Sequence, residues 1–346
     1  MKSTYRVIFG SIGARTMRVS IFDVAKKSGL SVVTVSRVLN NSSSVREKNR
    51  QKVLDAMREL NYHPNAAARS LAKGKTRIIG LIVTTLQDSF LDEVVNEVTN
   101  TLEAHGYYLA LSVSPGLENE EHYLIQEDRV DGLIILSPIK EEQYVVELTK
   151  RKIPFVLIDN QKIIPSVFNV IVNNFQGGYD ATRHLIELGH TKIAHIRGPE
   201  YFLSSVEREK GYRQALREAG LQPFAIEQGA FAMDDGYLIG RKWMEADRLP
   251  TAVFACDDNM AVGLINALMQ EGIRVPDHVS VVGYDDQYFA SALHPHLTTV
   301  KQPTVQIGRT AVDLLMKQIN GNAIRSKTVK LEPKLIVRNS TAAPRM

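Results

Sequence analysis

The stretch VSIFDVAKKSGLSVVTVSRVLN, residues 19–40, ends in polar side chains that suit contact with nucleic acid. Ser36, Arg37 and Asn40 each carry a group that can hydrogen-bond to a phosphate or to a base edge in a major groove. They contain no nucleophile–base pair, so the chemistry they offer is recognition rather than bond breaking. Their joint action depends on the elements that position them.

Two short helices joined by a tight turn are predicted to carry these side chains. Apolar residues recur at helical spacing from Ile21 to Ala25 and line one face of a first helix. Gly29 tolerates the left-handed conformation that ends such a helix. Ser31 is suited to cap a second helix over residues 32–40, set at a sharp angle to the first.

A third amphipathic run, residues 47–60, is predicted to complete a small helical core. Its apolar positions are Val53, Leu54, Met57 and Leu60. Three helices with the second one exposed form a helix-turn-helix unit, in which the second helix enters the major groove of DNA. The alternative is a helical packing module that binds nothing.

Charge favours DNA binding over the packing module. Residues 1–77 contain 16 lysines and arginines against 4 aspartates and glutamates, a net charge of +12. Residues 78–346 contain 26 against 34, a net charge of −8, so the total of +4 conceals a strongly basic front segment. A basic segment that coincides with the helical motif is the pattern of a protein that meets a polyanion at one end.

Composition places the chain among cytoplasmic globular proteins. A chain of 346 residues is long enough for two or three compact units. The single cysteine, Cys256, cannot form an internal disulfide, which suits a reducing compartment, and no apolar run reaches the length of a membrane span. Residues 1–17 are predicted to be a disordered extension or a mis-called start, with Met17 as the natural first residue.

Residues 65–77 are predicted to link the basic unit to the rest of the chain. Asn65 can cap a short helix that continues through Leu71. A helix of this length is marginal in water, so it should be ordered only when DNA and a second copy of the chain hold it. This dependence is a physical basis for a switch.

From residue 78 onward, buried-type strands alternate with helical segments, which predicts right-handed crossovers and parallel sheets. The strands are too many for one modest sheet, so two doubly wound subdomains are expected, with a ligand cleft outside the carboxyl ends of the strands. The predicted strands are 78–83, 109–113, 133–136, 155–158, 170–172, 193–196, 252–254 and 279–282.

An enzyme is not expected. The chain contains no HExxH, GxSxG or phosphate-binding loop motif and no paired cysteines, so no catalytic residue, metal site or cofactor is predicted. His190 and His195 are five residues apart across a turn, which favours structural roles. An exported binding protein would share the α/β core but would lack the helix-turn-helix.

The complete set of motifs resembles the lactose/galactose repressor (LacI/GalR) family of bacterial regulators. The resemblance covers residues 19 to about 340 and rests on blocks in family order: DVAKKSGLSVVTVSRVLN, YHPNAAARSLAKGKTRIIGLIV, VDGLII, HLIELGHTKIAHI, REKGYRQAL, PTAVFACDDNMAVG, VSVVGYDD and HPHLTTVKQP. It implies a homodimer that binds double-stranded operator DNA, with a small-molecule effector, most often a sugar. It also implies an all-α helix-turn-helix headpiece and an α/β periplasmic-binding-protein-like core of two doubly wound parallel-sheet subdomains.

On this resemblance the chain divides into four parts. They are the extension 1–17, a helix-turn-helix domain 18–64, a hinge helix and linker 65–77, and a core 78–342, whose N-subdomain is about 78–173 and 304–331 and whose C-subdomain is about 174–303 and 332–342.

The resemblance also implies roles at the DNA. Val32 and Val33 fall at the first positions of the recognition helix, where they could contact only thymine methyls or sense groove shape. Arg37 takes either a guanine or a phosphate, and both remain open. The implied phosphate contacts are Ser31, Thr34, Ser36 and Asn40, and the implied hinge contacts are Asn65, Ala68 and Leu71, the last as a wedge in the minor groove.

In the core, the resemblance and the strand-end positions imply effector contacts through carboxylates, one arginine and two aromatic rings. The expected residues are Asp88, Phe90, Asp159, Arg208, Phe231, Asp257 and Asp285. Asp257 also fits a helix N-cap, and Arg208 could instead be a surface helix residue.

The sequence departs from the usual pattern of the family at three places. The helix before VDGLII looks shorter than is usual in the family, Leu136 occupies a strand-end site where some relatives place a polar contact, and no leucine-heptad tail follows residue 340, which favours a dimer over a tetramer. A carboxylate-rich cleft favours a neutral polyol as effector. A phosphorylated partner protein as corepressor, or a purine or nucleoside as effector, stays open.

Overall fold

The computed structural model describes residues 19–40, 42–63, 75–85, 89–114, 123–126, 129–162, 164, 167–322 and 328–345. The chain separates into two compact units, Met1–Lys75 and Thr76–Met346. The predictions for residues 1–17, for Asn65, Ala68 and Leu71, and for Asp88 lie outside the described residues.

The first unit is a bundle of three short helices: α1 (Ile21–Ser28), α2 (Val32–Leu39) and α3 (Glu47–Glu59). Gly29 ends α1 in the left-handed conformation, with φ of 70°, as predicted. The Ser31 hydroxyl accepts a hydrogen bond from the Thr34 backbone N–H at 3.2 Å, which confirms it as the cap of α2.

Six buried side chains form the core of this bundle: Val24, Ala25, Val35, Val38, Val53 and Ala56. The prediction that Leu54 belongs to this core is wrong, because its side chain is 40% exposed. Val53 and Met57 lie on the face of α3 that meets the other helices, and Leu54 is turned about 100° away from Val53. Asn40 lies just beyond α2 as its C-cap rather than within it.

The described part of the second unit contains two six-stranded sheets. The first has the order β11-β5-β4-β3-β1-β2, and all of its strand pairs are parallel. Its strands are β1 (Ile78–Val83), β2 (Tyr108–Val113), β3 (Gly132–Leu136), β4 (Phe155–Ile158), β5 (Phe168–Val172) and β11 (Thr328–Leu331).

The second sheet has the order β12-β10-β9-β8-β6-β7. Its edge strand β12 runs antiparallel to β10, a common exception at the edge of a mostly parallel sheet. Its strands are β6 (Ile193–Arg197), β7 (Ala225–Gln228), β8 (Ala252–Ala255), β9 (Ser280–Asp285), β10 (Thr298–Lys301) and β12 (Lys334–Ile336).

Helices cover both sheets, as the alternation of strands and helices predicts. Those of the first sheet are α4 (Ser89–Ala104), α5 (Glu141–Arg151) and α10 (Thr304–Ile319). Those of the second sheet are α6 (Asn174–Glu187), α7 (Leu203–Glu218), α8 (Met233–Glu245) and α9 (Asp258–Gln270). In the segment before VDGLII, the described residues 123–126 form a turn.

The chain passes between the two sheets at three crossovers, defined here by the residues that flank them. The first crossover, residues 172–174, joins β5 to α6; the second, residues 301–304, joins β10 to α10; the third, residues 331–334, joins β11 to β12. These short connections bring the carboxyl ends of both sets of strands to one cleft. In the part of the chain that the structure describes, no helix is long and apolar enough to cross a membrane.

Candidate DNA-binding surface and ligand cleft

Helix α2 divides its side chains between the core and the surface. Val35 and Val38 are buried against α1 and α3, so the opposite side of the helix must face outward. Arg37 is exposed there, and Val33, one turn before it, is 61% exposed. Val33 and Arg37 therefore share the outward face of α2, and a valine methyl and a guanidinium are groups that can meet base edges in a groove.

The remaining predicted contacts surround this face. Ser31 and Asn40 are exposed at the two ends of α2, whereas Val32, Thr34 and Ser36 are half-buried. The hydroxyls of Ser31 and Thr34 lie 2.9 Å apart at the N-terminus of the helix, where backbone N–H groups favour an anion. Within the described residues Arg37 makes no ion pair, unlike Lys27, whose ammonium lies 2.7 Å from Glu59.

A cavity of about 500 Å³ lies between the two sheets of the second unit. It brings together six of the seven residues predicted to contact an effector, which are Phe90, Asp159, Arg208, Phe231, Asp257 and Asp285. The first sheet and its connections also contribute Ser137 and Leu136, and the second contributes Phe202, Ser204, Met233 and Asn259. Gln302, in the second crossover, and Thr84 and Thr85, just after β1, add further polar side chains.

Arg208 is 4% exposed, which excludes the alternative of a surface helix arginine. Its Nε donates to Asn174 Oδ1 at 2.9 Å, and its Nη1 donates to the Cys256 carbonyl at 2.6 Å. Its Nη2 lies 3.6 Å from Asp285 Oδ1, and the guanidinium sits 3.6 Å above the centre of the Tyr284 ring. A buried guanidinium fixed on so many sides presents its remaining donors to the cleft in a defined direction.

Asp285 ends strand β9 in an uncommon backbone conformation, with φ of 106°, and Asp286 follows at 57°. Two consecutive residues at positive φ turn the chain sharply at the floor of the cleft. Gln302 Nε2 donates to Asp285 Oδ1 at 2.7 Å. Asp286 is held separately by Lys301 at 3.1 Å and Arg338 at 2.5 Å. The surrounding bonds therefore maintain the strained turn that positions Asp285.

The opposite wall carries a second carboxylate, Asp159, directly after β4. Both Asp159 and Ser137 have positive φ, 50° and 48° respectively. The Ser137 hydroxyl donates to Asp159 Oδ2 at 2.9 Å, which orients the carboxylate. Ser137 was not predicted from the sequence, although it too directly follows a buried strand.

The adjacent residues Asp257 and Asp258 have different roles. Asp257 caps α9, accepting from the Met260 N–H at 2.9 Å, and also lines the cavity, so both of its predicted roles have a structural basis. Asp258 is fully buried and accepts from Thr299 Oγ1 at 2.6 Å and from the Gln287 N–H at 2.8 Å. Burial and the nearby charge of Asp285 raise the pKa of Asp258 well above its usual range.

Aromatic rings form one side of the cavity. Phe231 has a φ of 64°, and its ring centre lies 5.6 Å from that of Phe202. Phe202 in turn lies 4.7 Å from Tyr201. Phe202 was not predicted from the sequence, although the aromatic pair before α7 was a usable signal. Flat apolar faces beside carboxylates and an arginine suit a ligand with a ring and several hydroxyls.

The two histidines considered earlier lie in structural positions. His195 is fully buried between the rings of Tyr212 and Phe254, and its Nδ1 lies 2.8 Å from the Phe254 carbonyl. Burial lowers the pKa of His195 to about 4. His190 lies 3.1 Å from the hydroxyls of both Thr251 and Ser280. No group of three metal-ligating side chains occurs among the residues that the structure describes.

Two sequence families match this chain. Residues 20–65, which contain the three-helix unit, match bacterial regulatory proteins of the lacI family. Residues 182–341, which contain all six strands of the second sheet and three of its four helices in full, match the periplasmic binding protein-like domain.

Similar proteins cover nearly the whole chain. The HTH-type transcriptional repressor PurR of Vibrio parahaemolyticus serotype O3:K6 is 37% identical over 93% of this chain and 98% of its own length. Catabolite control protein A of Priestia megaterium is 34% identical over 94% of this chain and all of its own. The structure of the Lac repressor dimer bound to operator and the anti-inducer ONPF has a TM-score of 0.86 and 32% identity, covering 94% of this chain and 99% of that one.

Proposed function

The chain belongs to the lacI family of bacterial regulatory proteins and is a DNA-binding transcriptional repressor with an effector-binding core; from this premise we propose that its effector is a sugar or a sugar derivative bound in the cleft. The lining of the cavity carries this proposal. Asp159, Asp257 and Asp285 supply carboxylate acceptors, Arg208 supplies buried donors, and Phe202 and Phe231 supply ring faces.

Charge in the cleft supports a neutral ligand. Three carboxylates face one guanidinium, and that guanidinium already meets Asp285. A phosphate group placed here would approach the carboxylates without a second cation among the lining residues. A hydroxyl both donates to a carboxylate and accepts from Arg208, so a neutral polyol can pair with both kinds of charged group in the lining. The cavity volume of about 500 Å³ is in the ordinary range for a small-molecule site.

At the DNA end, we propose that α2 enters the major groove of an operator half-site. Arg37 then binds a guanine or a phosphate, while Val32 and Val33 contact thymine methyls. Ser31, Thr34, Ser36 and Asn40 bind phosphates, and Asn65, Ala68 and Leu71 act in a hinge helix at the minor groove. The exposure of Val33 and Arg37 on one face supports this arrangement.

The proposal extends to assembly and location. We infer a homodimer on a pseudo-palindromic operator, supported by the similarity to a Lac repressor dimer, and a cytoplasmic protein without enzymatic activity. The proposed division into 18–64, 65–77 and 78–342 keeps each helix and strand whole.

A thermal-shift screen tests the effector class. The panel contains ribose, glucose, cellobiose, glucose 6-phosphate, hypoxanthine and guanine. A ligand at a hundred times its Kd stabilises the folded protein by roughly 2.7 kcal/mol, which raises Tm measurably. A rise with a neutral sugar that disappears in Arg208→Ala supports the proposal. A rise with only glucose 6-phosphate contradicts the neutral ligand, and no rise with any sugar contradicts the proposal itself.

A purine effector is the second candidate, because the similarity to PurR is as extensive as any described above. Phe231 and Phe202 would then stack on a planar base, and the carboxylates would accept its ring N–H groups. The same panel separates the two: a response to hypoxanthine or guanine and to no sugar selects the purine.

A further inference from the structure

A continuous polar chain connects the cleft to two of the three crossovers. Arg208 Nε donates to Asn174 in the first crossover at 2.9 Å, and Gln302 in the second crossover donates to Asp285 at 2.7 Å. Arg208 and Asp285 meet each other at 3.6 Å in the cleft. We call these four residues, Asn174, Arg208, Asp285 and Gln302, the crossover network.

The network is buried, so breaking one of its hydrogen bonds costs more free energy than breaking a similar bond on the surface. Asn174 and Gln302 are each 6% exposed, and Arg208 is 4% exposed. Removal of an acceptor from a buried, charged donor leaves that donor without a partner and without water. The guanidinium is therefore fixed relative to both crossovers for as long as all four side chains are present.

Backbone packing makes the contact with the first crossover stiff. Helices α6 and α7 meet at Gly178, where an added Cβ atom would lie 2.2 Å from the Arg208 carbonyl oxygen. The start of α6, which carries Asn174, is thus held directly against the turn of α7 that carries Arg208. A displacement of the guanidinium by a ligand is transmitted to residues 172–174 rather than absorbed by loose side chains.

We propose that Asn174 is a positioning residue through which occupancy of the cleft sets the angle between the two subdomains. Asn174 does not line the cavity, so it acts through Arg208 and not by contact with the effector. Gln302 has the same role at the second crossover, although it also lines the cavity. This proposal rests on the proposed control of the protein by a cleft ligand.

The third crossover supplies a matched control. Its exposed Glu332 accepts from Asn173 Nδ2 of the first crossover with both oxygens, at 3.1 and 2.8 Å, and neither residue lines the cavity. The variant Glu332→Ala breaks a crossover hydrogen bond without touching the network. The variant Asn174→Ala breaks one within it.

The angle can be measured in the ligand-free full-length protein by pulsed electron paramagnetic resonance. Spin labels at Glu103→Cys on α4 and Arg217→Cys on α7 report the separation of the subdomains, since both positions are exposed. Cys256 is fully buried, and burial raises the pKa of its thiol, so it does not compete for the label. Intersubunit distances are removed by dilution with unlabelled protein.

We expect Asn174→Ala to shift or broaden the distance distribution, and Glu332→Ala to reproduce that of the parent. The same distribution in all three proteins would overturn the proposal. If Asn174→Ala fails to fold, Gln302→Leu, which removes the donor to Asp285, must change the distribution in its place.

Ligand-dependent measurements separate this proposal from the proposed function. With whichever panel compound raises Tm most, the parent should show a change in operator affinity of at least about fivefold, and Asn174→Ala should lose most of that change while the compound still binds. An unchanged ligand effect in Asn174→Ala contradicts the positioning role alone. Failure of every panel compound to bind contradicts the proposed effector, yet the ligand-free distances still test Asn174.

Discussion

The carboxylate of Asp131 holds the chain at Thr76, where it enters the core unit. Asp131 Oδ1 accepts from the Thr76 N–H at 2.6 Å and from its hydroxyl at 2.8 Å. Asp131 Oδ2 accepts from the N–H of Arg77 at 3.0 Å, and Arg77 has a φ of 57°. Three hydrogen bonds to one carboxylate fix the direction in which residues 76 and 77 lead into β1.

Asp131→Asn should therefore weaken this attachment without altering the cleft. An amide keeps two of the three bonds and places N–H against the N–H of Arg77, so the free energy of unfolding should fall by about 1–3 kcal/mol. Urea unfolding measures this change. Because the attachment lies just after the linker, operator affinity should also fall, while ligand affinity in the absence of DNA stays constant.

A half-exposed carboxylate elsewhere on the N-subdomain provides the control. Asp313 lies 3.9 Å from His105, and its side chain is 48% exposed. Asp313→Asn should change neither stability nor operator affinity. Equal losses in the two variants would show that charge removal, and not the contact with Thr76, is responsible.

Arg37→Ala tests whether α2 distinguishes sequences. If Arg37 binds a guanine, specific binding to an operator selected from random DNA should weaken by about 1–3 kcal/mol per half-site, with little effect on random DNA. If it binds a phosphate, both affinities should fall together. The slope of log affinity against log salt concentration should then become shallower by about 0.9, the contribution of one phosphate. Lys27→Ala, which breaks an exposed ion pair with Glu59 in the same unit, is the control. Equal affinity of Arg37→Ala and the parent for both DNAs would contradict any contact by Arg37.

Salt should strongly weaken operator binding of the full-length protein. The front segment carries a net charge of +12, and each neutralised phosphate contributes roughly −0.9 to the slope of log affinity against log salt concentration. Fluorescence anisotropy between 50 and 200 mM salt, the range over which such proteins lose about 10³–10⁵ in affinity, measures the slope. A flat response would contradict an electrostatic interface.

His195 should make the core less stable in mild acid. Its pKa is lowered to about 4 in the folded protein, against about 6.5 when unfolded, so the unfolded chain binds the extra proton between these values. Stability is therefore full above pH 6.5 and declines as the pH falls to 4, by about 3 kcal/mol from this residue. The fluorescence of Trp243, the single tryptophan and a buried one, follows unfolding of the core.

His195→Gln should lose less stability than the parent over the same interval. The exposed His63 provides the control, since His63→Gln should leave the pH dependence of the core unchanged. Parallel pH profiles for the parent and His195→Gln would rule out this histidine as a source of acid sensitivity.

The sequence predicted the features that depend on residues close together along the chain, such as helix caps and strand ends. Gly29 and Ser31 end and begin their helices as their backbone preferences require, and strand-end positions identified Asp159 and Asp285 as cleft residues. Leu54 was misplaced because an amphipathic pattern fixes the buried face of a helix only to within about one residue, or 100°. Strands β7, β10, β11 and β12 were missed because each is a run of three or four residues that contains polar side chains. Strands β4 and β8 are equally short but wholly apolar, so they were recognised.

Contacts between distant residues were beyond the reach of sequence patterns. Asn174 is 34 residues from Arg208, and nothing in the local sequence distinguishes it from its neighbour Asn173. Gln302 follows a strand that the sequence did not reveal, and it meets Asp285 only because β9 and β10 are parallel neighbours. The residues that could transmit an effector signal are thus set by topology, while those that could bind the effector are visible as strand ends.

A small molecule in the cleft is expected to change the affinity of the protein for its operator. The most direct test of this effect is a pair of anisotropy titrations of labelled operator, without ligand and with a saturating concentration of the panel compound that raises Tm most. The operator Kd should change, in either direction, by at least about fivefold, the lower end of ordinary allosteric coupling. Identical operator affinities while calorimetry shows the compound bound would contradict this expectation.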